Sequence, residues 1–119
     1  MKDYHELPSD LSDETKDYTR AIASFIEELE AVLWYQQRAD ACKDIHLKKI
    51  LIHNRDEEME HACMTQEWLR RNMDDWDEQM RTYLFTEKEI TEIEEDEEDE
   101  KNKENRGVKE NKDLGIGKL

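Results

Sequence analysis

Between Tyr18 and Trp68 the residues able to face inward recur at intervals of four and three, a spacing that an α-helix keeps and a strand does not. In the first half of this stretch Tyr18, Ile22, Phe25, Leu29 and Val32 follow it. A second line, Ala21, Phe25, Glu28, Val32, Tyr35 and Ala39, runs beside the first, and together they make one wide face. Pro8, Ser9 and Ser12 read as a helix-start region with acids in the first turn, and no Pro or Gly follows before Ala41. Cys42-Lys43-Asp44 reads as a tight turn, with Asp44 capping a second helix that runs to about Asn72. The inner line of that helix is Leu47, Leu51, Asn54, Glu58, His61, Thr65 and Trp68. Residues 74–85 predict a shorter third helix carrying Trp76, Met80, Tyr83 and Leu84. The fold expected is all-α: an antiparallel two-helix hairpin plus a short third helix.

Composition divides the chain. Of its 119 residues, those from 1 to 86 are expected to form the helical domain. Residues 87–112 are polar, begin with a run of acids from Glu87 to Glu100, and predict an acidic disordered linker. Residues 113–119, Asp-Leu-Gly-Ile-Gly-Lys-Leu, form a short apolar tag, and all three glycines lie at or after Gly107. A formal net charge of -15 argues against nucleic acid and anionic membranes as partners, since both call for basic patches. No run approaches the length of a membrane span, and MKDYHELPSD lacks the apolar stretch of a signal peptide. Cys42 and Cys63 fit neither a CxxC motif nor a secreted disulfide framework, so reduced thiols in a cytoplasmic protein are expected.

The polar residues on the inner line carry the chemistry. Glu58 and His61 stand three apart and so on one side of their helix, and Glu28 sits between Phe25 and Val32 on the opposing face. Carboxylate and imidazole aimed the same way suit Fe²⁺, Mn²⁺ or Zn²⁺. Carboxylate-bridged di-metal bundles use two lone glutamates and two Glu-x-x-His pairs from four helices, and this chain has one of each on two. The expectation is a homodimer that completes a ferritin-like four-helix bundle. A unit this small also buries little surface alone. Pairing two copies gathers four carboxylates, a costly arrangement in a core unless two divalent cations offset it. The plainer alternative is that Glu58 and His61 lie on the solvated face of a highly charged helix.

Other residues are candidates beside these. Tyr35, on the Glu28 line two turns on, could hydrogen-bond to the site or pass an electron; the alternative is an ordinary core aromatic. Trp34 reads as packing. Glu27 and Glu30 flank Glu28 and point elsewhere, lining an acidic funnel in a symmetric assembly or solvating the helix. His53, Glu57 and Glu60 share a helical line that could hold a weak outer ion, or could decorate the surface. His5 and His46 receive no role. In an extended tail Leu114 and Ile116 fall on one side, and glycines between them permit close approach to a groove, as in a docking peptide on a tether; a frayed end is the alternative.

Four stretches, EELEAVLWYQQR (27–38), HNRDEEMEHACMTQEWLRRN (53–72), RTYLFTE (81–87) and the final DLGIGKL, resemble the encapsulated ferritins, ferritin-like proteins packed inside encapsulin shells. The resemblance spans most of the chain apart from the first dozen residues and the acidic linker. It implies a dimer that recreates a ferritin bundle and a ring of such dimers. It implies ferroxidase activity at a di-iron site between two subunits, with two iron ions per dimer. By motif the ligands are Glu28, Glu58 and His61, with Tyr35 and Trp34 close by. Glu27 and Glu30 correspond to glutamates on the path by which metal reaches the site, where calcium or another divalent ion can bind. His53, Glu57 and Glu60 correspond to a peripheral metal site. Leu114, Gly115, Ile116, Gly117 and Leu119 match the peptide that docks on the encapsulin shell protein, which would place the chain in the cytoplasm, inside a nanocompartment. The chain departs from the family pattern at Leu33, which replaces a polar residue, and in the acidity of its linker. The rival reading is a non-catalytic helical cargo adaptor or iron-binding module, and a di-iron peroxidase or a manganese site shares the same ligand types.

Overall fold

The computed structural model describes residues 3–113, with side chains described to residue 107. A single 3₁₀ turn at Pro8–Asp10 leads into four helices: α1 (Asp13–Ala41), α2 (Ile45–Asn72), α3 (Asp74–Tyr83) and α4 (Ile90–Asp113). There is no strand among the described residues. The chain divides into two compact units, Met1–Asp77 and Glu78–Leu119.

In the first unit the helix ends are set by local chemistry. Ser12 caps α1 by accepting a hydrogen bond from the Thr15 amide at 3.1 Å, and Asp44 caps α2 by accepting from the Leu47 amide at 2.8 Å. Asp13 and Glu14 occupy the first turn of α1, while Arg70 and Arg71 occupy the last turn of α2; both placements favour the helix dipole. Only Cys42, Lys43 and Asp44 separate the two long helices, so they run antiparallel. The cross-helix contacts keep that register. Tyr18 meets Trp68 edge-on at 6.2 Å, Glu28 meets Thr65, and Arg55 donates to Gln36 Oε1 at 2.6 Å.

The strip sealed between α1 and α2 is narrow. Among the described residues only Ala39, Ala62 and Leu69 are buried. Two of the three are alanines, which let the helices approach closely but remove little apolar surface from water. Ala62 and Leu69, not the line through Leu47 and Trp68, form the covered strip of α2. Leu29, Leu47 and Trp68, expected to face inward, remain 47%, 48% and 38% exposed. A helix pair can cover only the stripe each partner presents to the other, and the wide apolar faces exceed it.

The junction to α3 is held by charge. Arg70 donates to Glu67 at 2.6 Å and to Asp77 at 2.5 Å, and Arg71 donates to Glu67 at 2.8 Å. Hydrogen bonds from Arg70 and then Arg71 pull the Glu67 carboxyl from 4.5 down to about 2. The same ion pairs push the Arg70 guanidinium up.

In the second unit α3 stops at Tyr83, two residues short of the expected end. Phe85 takes a left-handed backbone (φ 58°), a conformation that favours glycine, and its side chain is fully exposed. Most of the stretch expected to be a disordered linker, 87–112, is instead helical, as α4 from Ile90 on. Its glutamates and lysines are good helix formers, and neither Pro nor Gly interrupts it before Gly107. Its charges are also sorted along the axis, with acids from Glu92 to Glu100 in the first half and Lys101, Lys103, Arg106, Lys109 and Lys112 in the second. Lys88 pairs with Asp96, which raises the lysine pKa.

Candidate metal centre

Glu28 and Thr65 form one of the polar links between the facing helices. The Thr65 hydroxyl lies 3.1 Å from Glu28 Oε1, its acceptor across the seam. The other carboxylate oxygen, Glu28 Oε2, is buried and has no hydrogen-bond partner. A buried carboxylate oxygen ordinarily finds a donor, and leaving one bare costs about 1–3 kcal/mol or more. Its lone pairs accept no hydrogen bond from the residues around it.

His61 and Glu58 sit one and two turns earlier than Thr65 on α2. His61 Nδ1 stands 3.6 Å from Glu58 Oε2, with the Glu58 side chain 28% exposed and that of His61 49% exposed. That separation is too long for a hydrogen bond. Two metal–ligand bonds of about 2.1 Å each span such a gap, so the pair fits a shared ion. Among the described residues no group of three or more His, Cys, Asp or Glu side chains within one chain could hold a metal. A pair and a lone carboxylate thus leave part of any ion's coordination to be supplied from elsewhere.

His61 lies on an open stripe of α2 that carries apolar residues toward both ends. Leu47, Ile50, His61, Met64 and Trp68 follow one stripe of α2, and all five are exposed. A groove of about 550 Å³ runs beside Thr65, lined by Ala21, Ser24, Met64 and Trp68 and edged by Asp17 and Arg20.

The remaining candidates are scattered. Tyr35 is half-buried, with the Arg38 guanidinium 5.6 Å above its ring, and Trp34 is 50% exposed. Glu27 and Glu30 are exposed, as expected of residues flanking Glu28. His53 Nε2 and Glu57 Oε1 are 2.9 Å apart on the surface of α2, and Glu60 is exposed further along it. Leu114, Gly115, Ile116, Gly117 and Leu119 lie outside the described residues.

Two residues escaped the sequence reading. Thr65 lay on the inner line without a role; its pairing with Glu28 depends on how α2 is rotated against α1, which no local signal fixes. Tyr18, taken as an apolar position, donates its hydroxyl to the Asn72 carbonyl at 2.9 Å or to Glu14, and the Glu14 contact raises its pKa.

The sequence pattern of the family described as EncFtn-like matches residues 3–87. The chain belongs to the EncFtn-like family. A relative in Thermotoga maritima named "Ferritin-like protein" is 58% identical over 118 residues, covering 98% of this chain and 96% of that one. The "Encapsulated ferritin-like protein" of Rhodospirillum rubrum is 61% identical over 89 residues, 75% of this chain and 64% of the relative. A crystal structure of a Nitrosomonas europaea protein matches with a TM-score of 0.72 at 57% identity, over 73% of this chain and 96% of that one. No helix among the described residues is long and apolar enough to cross a membrane.

Proposed function

We propose that this EncFtn-like chain is a ferroxidase whose iron site is shared between two copies. The observation that carries the reading is Glu28 Oε2, a buried carboxylate oxygen without a partner on the helix facing Glu58 and His61. Iron is the substrate: two Fe²⁺ ions each yield one electron, and dioxygen or peroxide takes the pair. Glu28, Glu58 and His61 from each copy hold the ions. A symmetric pair brings four carboxylates and two imidazoles together, and the incoming cations offset the carboxylate charge. The exposed stripe of Leu47, Ile50, Met64 and Trp68 around His61 supplies the apolar surface by which two copies would close over the site and exclude water. Glu27 and Glu30, exposed beside Glu28, attract cations toward it. Tyr35, two turns along α1, is a candidate to hydrogen-bond to the site or to pass an electron from iron to the oxidant.

The relative named as encapsulated supports a second part of the proposal, that the chain is cargo of an encapsulin shell and delivers oxidised iron for storage there. The segment from Leu114 to Leu119 is the proposed docking peptide. The test of the activity is direct. His61→Ala and Glu58→Ala should each abolish rapid Fe²⁺ oxidation followed by absorbance, while the parent binds one iron per chain by elemental analysis. An unchanged rate in both variants refutes the assignment. Stoichiometric iron without turnover in the parent favours a non-catalytic iron-binding module.

A further inference from the structure

The Thr65 hydroxyl has two acceptors and one proton. It stands 3.1 Å from Glu28 Oε1 across the hairpin and 3.2 Å from the His61 carbonyl on its own helix. A hydroxyl donates one hydrogen bond at a time. Both acceptors lie within reach of one position of the hydroxyl oxygen, so turning the O–H bond alone moves the proton from one to the other. The His61 carbonyl keeps a second lone pair after its helix bond, so it can receive that hydroxyl without loss of the backbone ladder.

We propose that Thr65 is a positioning residue for the iron site, a two-position latch on Glu28. This rests on the reading of Glu28, Glu58 and His61 as iron ligands. In one position the hydroxyl holds Glu28 Oε1. This fixes the carboxylate plane and leaves Oε2 as the bare, buried donor atom. In the other it turns to the His61 carbonyl and frees Oε1, so that both oxygens of Glu28 can reach metal. No covalent bond changes and no proton leaves the hydroxyl. The latch therefore lets one carboxylate change from one donor atom to two at constant charge, as bound iron changes its coordination demand. Because the second acceptor belongs to His61, the release of Glu28 is tied to the helical turn that carries the imidazole. Thr65 touches neither iron nor oxidant in this scheme; it acts through Glu28.

The test uses the full chain and Co²⁺ as a spectroscopic stand-in for Fe²⁺. Thr65→Val keeps the branched shape and removes the hydroxyl; Thr65→Ser keeps the hydroxyl; Glu28→Ala removes the ligand itself. Removing a group that orients a metal ligand typically weakens binding by about 10–100-fold. Thr65→Val should lose Co²⁺ affinity on that scale by calorimetry and alter the intensity of the visible Co²⁺ bands, whereas Thr65→Ser should restore both. Thermal melts of the metal-free variants should coincide, which separates orientation from packing. Co²⁺ binding and spectra that survive Thr65→Val but not Glu28→Ala would overturn the latch and leave the ligand reading standing. Binding that survives Glu28→Ala, or a parent that binds no Co²⁺, would overturn both.

Discussion

Met64 offers the most direct way to ask whether a second copy closes over the metal centre. It lies three residues beyond His61 on the exposed stripe of α2, and 65% of it is open to water. Fully burying such a side chain contributes about 1.5–3 kcal/mol, so covering the open part of Met64 is worth about 1–2 kcal/mol per copy. A symmetric pair presents the residue twice, giving about 2–4 kcal/mol, or a dissociation constant weakened about 30- to 1000-fold when the contact is lost. Met64→Asp forfeits this contribution and adds an unpaired charge, so the figure is a lower bound. Because Met64 packs little within its own chain, helicity and melting of the isolated chain should be preserved. Sedimentation velocity and the initial rate of Fe²⁺ oxidation per chain, both followed over about three decades of protein concentration, read the effect. The variant should associate only at the upper end and regain its oxidation rate there, since its ligands are intact. A Met64→Asp chain that associates and oxidises iron like the parent at every concentration would refute the reasoning.

Leu69, completely buried in the α1–α2 strip, should be the most sensitive core position; Leu69→Ala should lower stability by about 2–5 kcal/mol and the melting temperature by at least about 8 °C, and a melt within about 3 °C of the parent contradicts this. Glu67 predicts an acid limb. Its folded pKa is depressed, so its contribution is present above about pH 4.5 and is lost as pH falls through about 2. Between those values the parent should lose more thermal stability than Glu67→Gln does, and parallel curves for the two would count against the α2–α3 clamp.

Much of the hairpin was readable because its signals are local. Ser12 and Asp44 cap the helices that their positions announced, and the inward placement of Glu28 followed from its interval to Phe25 and Val32. The covered strip of α2 was less readable. The apolar line through Leu47, Leu51 and Trp68 lies beside the one through Ala62 and Leu69, and only the rotation of α2 against α1 chooses between them. A chain with more apolar surface than its own two helices can cover does not reveal which part it covers. The Thr65–Glu28 bond depends on that same rotation. The α4 segment was misread for another reason: low hydrophobicity argues against a packed core, but not against a helix held by dipole-matched charge and good helix formers. The early end of α3 rests on one left-handed residue, Phe85, whose side chain favours no such conformation.

The conversion of the acidic stretch into a rod has a consequence for reach. A helix of 24 residues at about 1.5 Å per residue measures about 36 Å from Ile90 to Asp113. A flexible coil of equal length would average about 27 Å, with a broad spread of end-to-end separations. The rod replaces that spread with nearly a single value. The end of the helix at Asp113 is therefore held at nearly one distance from Ile90, where a coil would spread it through a sphere. A surface that meets the helix at Asp113 is selected by its distance from Ile90 as well as by its chemistry.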